Sequence, residues 1–262
     1  MLWQHKASLA WLTARSGFIT ASDVESIIPY TATGKKRDTT DAMISIYARR
    51  HARVIEGSEI STGAAARGHI LEPYAVAEFN EITKPHERIF GLTVSPMHHW
   101  DDILVADTSR GIAFSPDALS IAPPPRSQMQ AGVVLHEDWI PSNTTMMEIK
   151  SYSAERHFKA MMTTPDKLKE RWQIAHAMLV CPDIRHALLC FYNPSTDHPL
   201  HIKLYERADL ADEMSEIDEA LAEYRRFEEK MDAYTENWKG TACVTEEEII
   251  ERETEKNRMN PS

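Results

Sequence analysis

An abrupt change of texture near residue 88 narrows the fold more than any other feature. RIFGLTVS (88–95), ILVADTS (103–109), GIAFSPDALSI (111–121) and TTMMEIKSY (144–152) are short, β-branched and turn-bounded, which reads as strands. On either side the periodicity is helical. Residues 20–28 read as a short helix with Ser22 and Glu25 at capping-box spacing. Residues 39–55 read as a second helix, and 62–83 as a third in which Pro73 begins or kinks a segment. Residues 154–162 and 165–180 are helical again, the latter opened by Thr164-Pro165. RHALLCFYNP and PLHIKLYER add two strands around the turn-like NPSTDHP. From 208 to 238, Leu210, Met214, Ile217, Leu221, Tyr224, Phe227, Met231 and Tyr234 mark one long amphipathic helix. Helices before, within and after a block of strands predict an α+β fold, a central sheet flanked by helices.

Length and composition bound the rest. The chain of 262 residues suits one large domain or a domain with appendages. Residues 1–240 are expected to form it, the Pro-rich stretch at about 122–144 being a surface insertion with an extra strand or hairpin. Residues 241–262 read as a polar tail. No apolar run approaches the ~20 residues of a membrane helix. The N-terminus is interrupted by Gln4, His5, Lys6 and Arg15, unlike a secretory signal, so an intracellular, cytoplasmic protein is expected. Cys181, Cys190 and Cys243 form no CxxC pair, which argues against a disulfide framework or a cysteine-held cluster. The net charge of −11 argues against a protein that coats nucleic acid, but an enzyme needs only a local basic surface. Much of the acidity lies in 206–256, whereas Lys6, Arg15, Lys35, Lys36, Arg37, Arg49, Arg50 and Arg53 lie early in the chain.

The chemistry-bearing residues are Ser115-Pro116-Asp117 and Glu148-Ile149-Lys150, each in a strand-like segment. Strand side chains alternate, so Glu148 and Lys150 share a face. If the two segments pair as neighbours, Asp117 joins them at one end, and two carboxylates meet an ammonium. Hard oxygen ligands suit Mg²⁺, which polarises a phosphate and lowers the pKa of water. A lysine beside that water orients it. Taken singly, ExK is commonly a solvated strand edge and SPD a turn. The combination points to phosphodiester hydrolysis.

Further residues in order give a family resemblance. Trp11, Arg15, Gly17, Ile19, Thr20, Ala21 and Ser22 match W-x(3)-R-x-G-x-I-T-A-S, and Gly68 and Glu72 match a helical G-x(3)-E. SPD, EIK, Arg156, a glutamine helix at Gln173, the strand-turn FYNP and a long helix with DEALAE follow. Over roughly residues 9–235 the chain resembles the YqaJ-like viral recombinases, the lambda exonuclease family of PD-(D/E)xK nucleases. The resemblance implies a restriction-endonuclease-like core with a mixed sheet and a long C-terminal helix. It implies that Glu72, Asp117, Glu148 and the main-chain carbonyl of Ile149 hold metal, Mg²⁺ or alternatively Mn²⁺, and that Lys150 positions or activates water. Arg15, Ser22, Ser115 and Arg156 would form a pocket for the 5′-phosphate of a duplex end, a task that suits arginine. Gln173 would help position the site. The implied activity is 5′→3′ digestion of double-stranded DNA to mononucleotides. It leaves a 3′ single strand for an annealing recombinase, and the implied assembly is a ring-shaped homotrimer in a phage- or prophage-bearing bacterial host.

Each residue also has an ordinary reading. Glu72 can serve the helix dipole, Arg156 can be a solvated helix arginine, Ser22 can be a cap and Trp11 a packing residue. His98 and His99 read as surface or loop residues without zinc-ligand spacing. The family's second helix glutamine is Ala175 here, the glycine after SPD is Ala118, and the Asp117–Glu148 interval is longer than in the lambda enzyme. An endonuclease or single-strand nuclease on the same core is the alternative activity. A non-catalytic DNA-end or recombinase-binding adaptor is a third reading.

Overall fold

The computed structural model describes residues 9–29, 36–51, 63–83, 88–89, 92–93, 95–101, 103–129 and 132–236. By contact the chain divides into two units, Met1–Ala222 and Glu223–Ser262. The first carries the strands. It opens with helices α1 (Leu9–Ser16), α2 (Ala21–Ile27), α3 (Thr40–His51) and α4 (Gly63–Thr83). Strands β1 (Arg88–Ile89), β2 (Leu92–Thr93), β3 (His98–His99), β4 (Leu104–Asp107), β5 (Ile112–Phe114), β6 (Ala118–Leu119) and β7 (Val133–Leu135) follow. Then come α5 (His136–Trp139), β8 (Thr144–Lys150), α6 (Ala154–Met162), α7 (Arg171–Val180), β9 (Ile184–Tyr192), β10 (Leu200–Glu206) and α8 (Ala211–Glu236). The α+β expectation holds, with the long helix α8 last. Within the second unit, Tyr224 and Phe227 of α8 pack ring to ring at 6.3 Å. The expected domain limit at 240–241 lies outside the described residues, as do Lys6, Lys35, Arg53 and Cys243.

The main sheet has the order β10-β9-β8-β6-β3. It is mixed: β8 runs parallel to β9, and the other pairings are antiparallel. β8 is buried from Thr144 to Met147, as an inner strand covered on both faces should be. Helix α4 lays Ala75, Val76 and Phe79 into a core with Met97, Ala118, Met147, Ile149, Leu188 and Cys190. Burying each large side chain there is worth about 1.5–3 kcal/mol. The Asn80 side chain fixes that helix against the sheet, bonding both Met97 N and Met97 O at 2.8 Å. Helix α7 is buried along Ile174–Val180 and packs on α2, β5 and β9.

A second sheet, order β5-β4-β7, stands beside the first. The segment 111–121 is therefore not one strand. It leaves the small sheet after Phe114 and enters the large one at Ala118, with Ser115-Pro116-Asp117 making the crossing. Pro116 has no N–H for a ladder, so the strand breaks there. The stretch 88–95 likewise forms two short antiparallel strands, Arg88↔Thr93 and Ile89↔Leu92. The extra strand expected after the Pro-rich loop is β7, parallel to β4, with Val134 buried.

The segment between α1 and α2 docks on the small sheet. Gly111 takes φ +65° in the β4–β5 turn, a conformation that suits glycine. Its carbonyl accepts from Ile19 N at 3.0 Å, and Ala113 N donates to Ile19 O at 3.0 Å. The next residue, Thr20, caps α2: Asp23 Oδ2 accepts from Thr20 N at 2.7 Å and from its hydroxyl at 2.8 Å. The expected Ser22–Glu25 capping box is thus displaced by two residues, and Ser22 lies inside the first turn. The helices expected from 165 and 208 both open with a 3-10 turn, Pro165–Lys167 and Arg207–Leu210.

Candidate active site

Strand register builds the centre of the site. β6 and β8 pair with Ala118 opposite Met147 and Leu119 opposite Met146. Extending that register by one residue sets Asp117 beside Glu148. Asp117 Oδ2 accepts a hydrogen bond from Ile149 N at 2.6 Å, and its carbonyl accepts from Trp100 N at 3.0 Å. At the C-terminal end of β8, Lys150 Nζ donates to Glu148 Oε1 at 2.5 Å. These side chains are mostly shielded: 14% of Glu148 and 23% of Lys150 is exposed. Glu72 comes from α4, just before Pro73, which supplies no N–H to the carbonyl four residues back.

The electrostatics couple all four residues. Burial, then the charges of Glu148 and Glu72, push the Asp117 carboxyl well above its usual range, against the opposite pull of Lys150. Burial also works against the Lys150 ammonium, but Glu148 and Asp117 outweigh it and hold Lys150 above the ordinary lysine value. Burial would raise Glu72, yet the close contact of His69 and the charges of His69 and His99 prevail and hold it at about 2. His69 Nδ1 lies 3.1 Å and His99 Nε2 3.5 Å from the Glu72 carboxylate.

That contact corrects the reading of His98 and His99 as surface or loop residues. His98 is exposed, but His99 is half-buried on β3, where its backbone pairs with Ala118, the residue after Asp117. Sequence spacing hid this, because the contact joins a helix to a strand 27 residues later. A charged-residue pattern within either element alone does not reveal it.

In kind, the donors fit a hard divalent cation. Three carboxylates feel one another across this corner, and the penalty on Asp117 is one that a cation would relieve. No group of three His, Cys, Asp or Glu side chains is gathered closely enough to coordinate an ion among the described residues. Glu72, Asp117 and Glu148 are the side chains that could hold such an ion. Ile149 is joined to the cluster through its N–H to Asp117.

A second pair forms at the surface. Arg15 Nη2, from α1, donates to Ser22 Oγ in the first turn of α2 at 3.1 Å. Ser22 also bonds Thr20 Oγ1 at 3.1 Å. Arg49 Nη2 reaches Asp23 Oδ2, next to Ser22 in the chain, at 2.7 Å, and His176 Nε2 bonds Ala113 O at 3.0 Å. The other expected residues stand apart in their contacts. The Ser115 hydroxyl donates to Ile103 O at 2.8 Å. The Arg156 guanidinium lies over the Tyr152 ring, 4.0 Å from its centroid. Gln173 on α7 has a buried Oε1 with no hydrogen-bond partner, an acceptor that calls for one. The Trp11 side chain lies outside the described residues. Tyr152 and Glu170, whose phenol and carboxylate bond each other, went unnoticed in the sequence. The only cue was the aromatic two residues after EIK.

Known proteins share this fold. A crystal structure of LHK-Exo in complex with dAMP superposes with TM-score 0.56 at 22% identity, covering 88% of this chain and 99% of that one. A second, of an alkaline exonuclease (LHK-Exo) from Laribacter hongkongensis, gives TM-score 0.55 at 20% identity with the same coverage. These likenesses show a shared fold. Among curated proteins, no sequence matches the chain. No described helix is long and apolar enough to cross a membrane. The profile of the YqaJ-like viral recombinase domain matches residues 10–183, more than half of the chain, and the protein belongs to that family.

Proposed function

We propose that the protein is a Mg²⁺-dependent exonuclease acting on the ends of double-stranded DNA. It degrades the 5′-ended strand to mononucleotides and leaves a 3′ strand for an annealing recombinase. The observation that carries this reading is the meeting of Asp117, Glu148 and Lys150 at one corner of the main sheet, with Glu72 in electrostatic reach. Membership of the YqaJ-like family and the exonuclease named among the superposed structures support it. By the same family reasoning, the protein works as a homotrimer inside a bacterial host, with residues 1–240 as the nuclease domain. Mn²⁺ would serve as a substitute ion.

Glu72, Asp117, Glu148 and the Ile149 carbonyl would hold the metal. When bound, it supplies Lewis-acid polarisation of the phosphodiester and acidifies nearby water. The chain's own groups do the rest. Lys150, held cationic by Glu148 and Asp117, orients the attacking water and offsets charge that develops on the phosphate. Asp117 is aimed by the Ile149 N–H. Arg15 and Ser22 offer a guanidinium and a hydroxyl to a terminal 5′-phosphate, and Ser115 and Arg156 extend that grip. Gln173, whose amide oxygen is buried without a partner, would help position the site.

The test is digestion of linear and closed circular duplex DNA with and without Mg²⁺. Release of mononucleotides from linear DNA alone, lost in Lys150→Ala, is the expected result. Nicking of the circle would favour an endonuclease, and cleavage of neither form by folded protein would leave only a DNA-end adaptor.

A further inference from the structure

Tyr152 takes no part in the site as described, yet it borders it, close enough for its phenol to feel the Lys150 charge. It follows Lys150 by two residues, just beyond the end of β8. Its main-chain carbonyl accepts from Asn193 Nδ2 at 2.8 Å, and Asn193 is only 2% exposed. Its ring packs at a tilt against Phe191, 5.8 Å between centroids, and Phe191 is fully buried. Its hydroxyl donates to Glu170, a carboxylate 5% exposed, just ahead of α7. The ring is thus held at the main chain, along one edge and at the hydroxyl. Over its free face lies Arg156, itself exposed on α6.

An exposed arginine has many rotamers of similar energy and loses that freedom on gripping a ligand. A guanidinium seated on an anchored aromatic face has lost part of it already. Donation of the phenol proton toward a buried carboxylate makes the ring more electron-rich, which strengthens its attraction for the cation. Glu170 also sits three residues before Gln173, so one chain segment ties the seat to the helix that carries the glutamine.

We infer that Tyr152, braced by Glu170, is a positioning residue that presents Arg156 to the 5′-phosphate and so sets the enzyme's preference for phosphorylated ends. The inference rests on the end pocket proposed above. Tyr152 touches no reacting atom; it acts through Arg156.

The experiment compares kcat/KM for duplexes with a 5′-phosphate and a 5′-hydroxyl, using wild type, Tyr152→Ala, Tyr152→Phe, Arg156→Ala and the double variant Tyr152→Ala with Arg156→Ala. Anisotropy titrations of the same two duplexes, without metal, give a readout independent of turnover. The phosphate-to-hydroxyl ratio is expected to fall about five-fold in Tyr152→Ala. Adding Arg156→Ala to that variant should lower the ratio by less than it does in wild type. Tyr152→Phe, which keeps the ring, should retain most of the ratio. If loss of the Glu170 partner unfolds that variant, Tyr152→Phe with Glu170→Gln replaces it. An unchanged ratio in Tyr152→Ala, with both ends slowed equally, would overturn the inference and leave the end pocket standing. No discrimination by wild type would overturn the pocket and this inference with it.

Discussion

Glu148 and Lys150 owe their positions to a strand buried between two neighbours, whereas Arg15 and Ser22 meet across the surface of two short helices. In the first region the backbone register does the placing. Sliding β8 by one residue turns every side chain to the other face, so packing of Met146, Met147 and Ile149 fixes the carboxylate and the lysine as well. In the second region side-chain hydrogen bonds do the placing, Arg15 to Ser22 and Ser22 to Thr20. The segment that carries Ser22 is tied down by the Ile19 bridge to β5 and the Arg49–Asp23 pair. The sheet corner is therefore preorganised and electrostatically strained, while the surface pair is adjustable. That division suits a site in which chemistry needs fixed charge and binding needs some accommodation.

Breaking the fixed half should have the largest effect. Lys150→Ala is expected to lower the rate on linear duplex by roughly 10²–10⁴-fold, measured by acid-soluble nucleotide release under saturating Mg²⁺. A variant within a few-fold of wild type would remove Lys150 from the mechanism.

The buried His176 of α7, the helix that packs on α2, should show itself in acid. Burial depresses His176 to about 4, against the favourable bond to Ala113 O. As pH falls from about 6.5, the unfolded chain takes up the proton before the folded one. His176 thus contributes stability that is present above 6.5 and lost as pH drops through 4, up to roughly 3 kcal/mol. Urea titrations across that window should show the loss, and His176→Gln should flatten its share of the slope. An identical slope in the variant would mean that His176 is not buried as described.

Removing Arg15 tests the surface pair itself. Arg15→Ala should reduce discrimination between 5′-phosphate and 5′-hydroxyl ends about ten-fold, the loss expected of one charge-assisted contact. Equal loss on both ends would assign Arg15 a structural part only. Asp117→Asn sharpens the contrast from the other side. Because the folded state raises the Asp117 pKa, its stabilising share exists below about 3.8 and is lost as pH rises. A neutral amide should therefore raise the neutral-pH, metal-free melting temperature by a few degrees while abolishing divalent-ion binding in calorimetry. A lowered melting temperature would contradict the repulsion felt from Glu148 and Glu72. The smallest change is expected for Ser22→Ala, roughly three-fold in the phosphate-to-hydroxyl ratio, since Thr20 rather than Ser22 caps α2.

Much of this was legible in the chain and part was not. Alternation placed Glu148 and Lys150 on one face, and periodicity located α3, α4, α6 and the long helix α8, because local patterns reflect which side of an element is buried. The break of 111–121 at Pro116 was written in the sequence as a missing N–H, but where each piece paired was not, since pairing is a choice among partners remote along the chain. The Thr20–Asp23 cap replaced the Ser22–Glu25 spacing because docking of Ile19 on β5 decides where α2 begins. His99 beside Glu72, and Tyr152 between Glu170 and Arg156, arise only when a helix and a strand close on one another. The sequence by itself determined the kinds of chemistry available: hard carboxylate oxygens, one lysine and arginines for phosphate. Tertiary structure alone decided which of them share a low-dielectric corner, and hence that Lys150 stays charged and Asp117 resists ionisation, because those energies depend on distance and burial rather than on order along the chain.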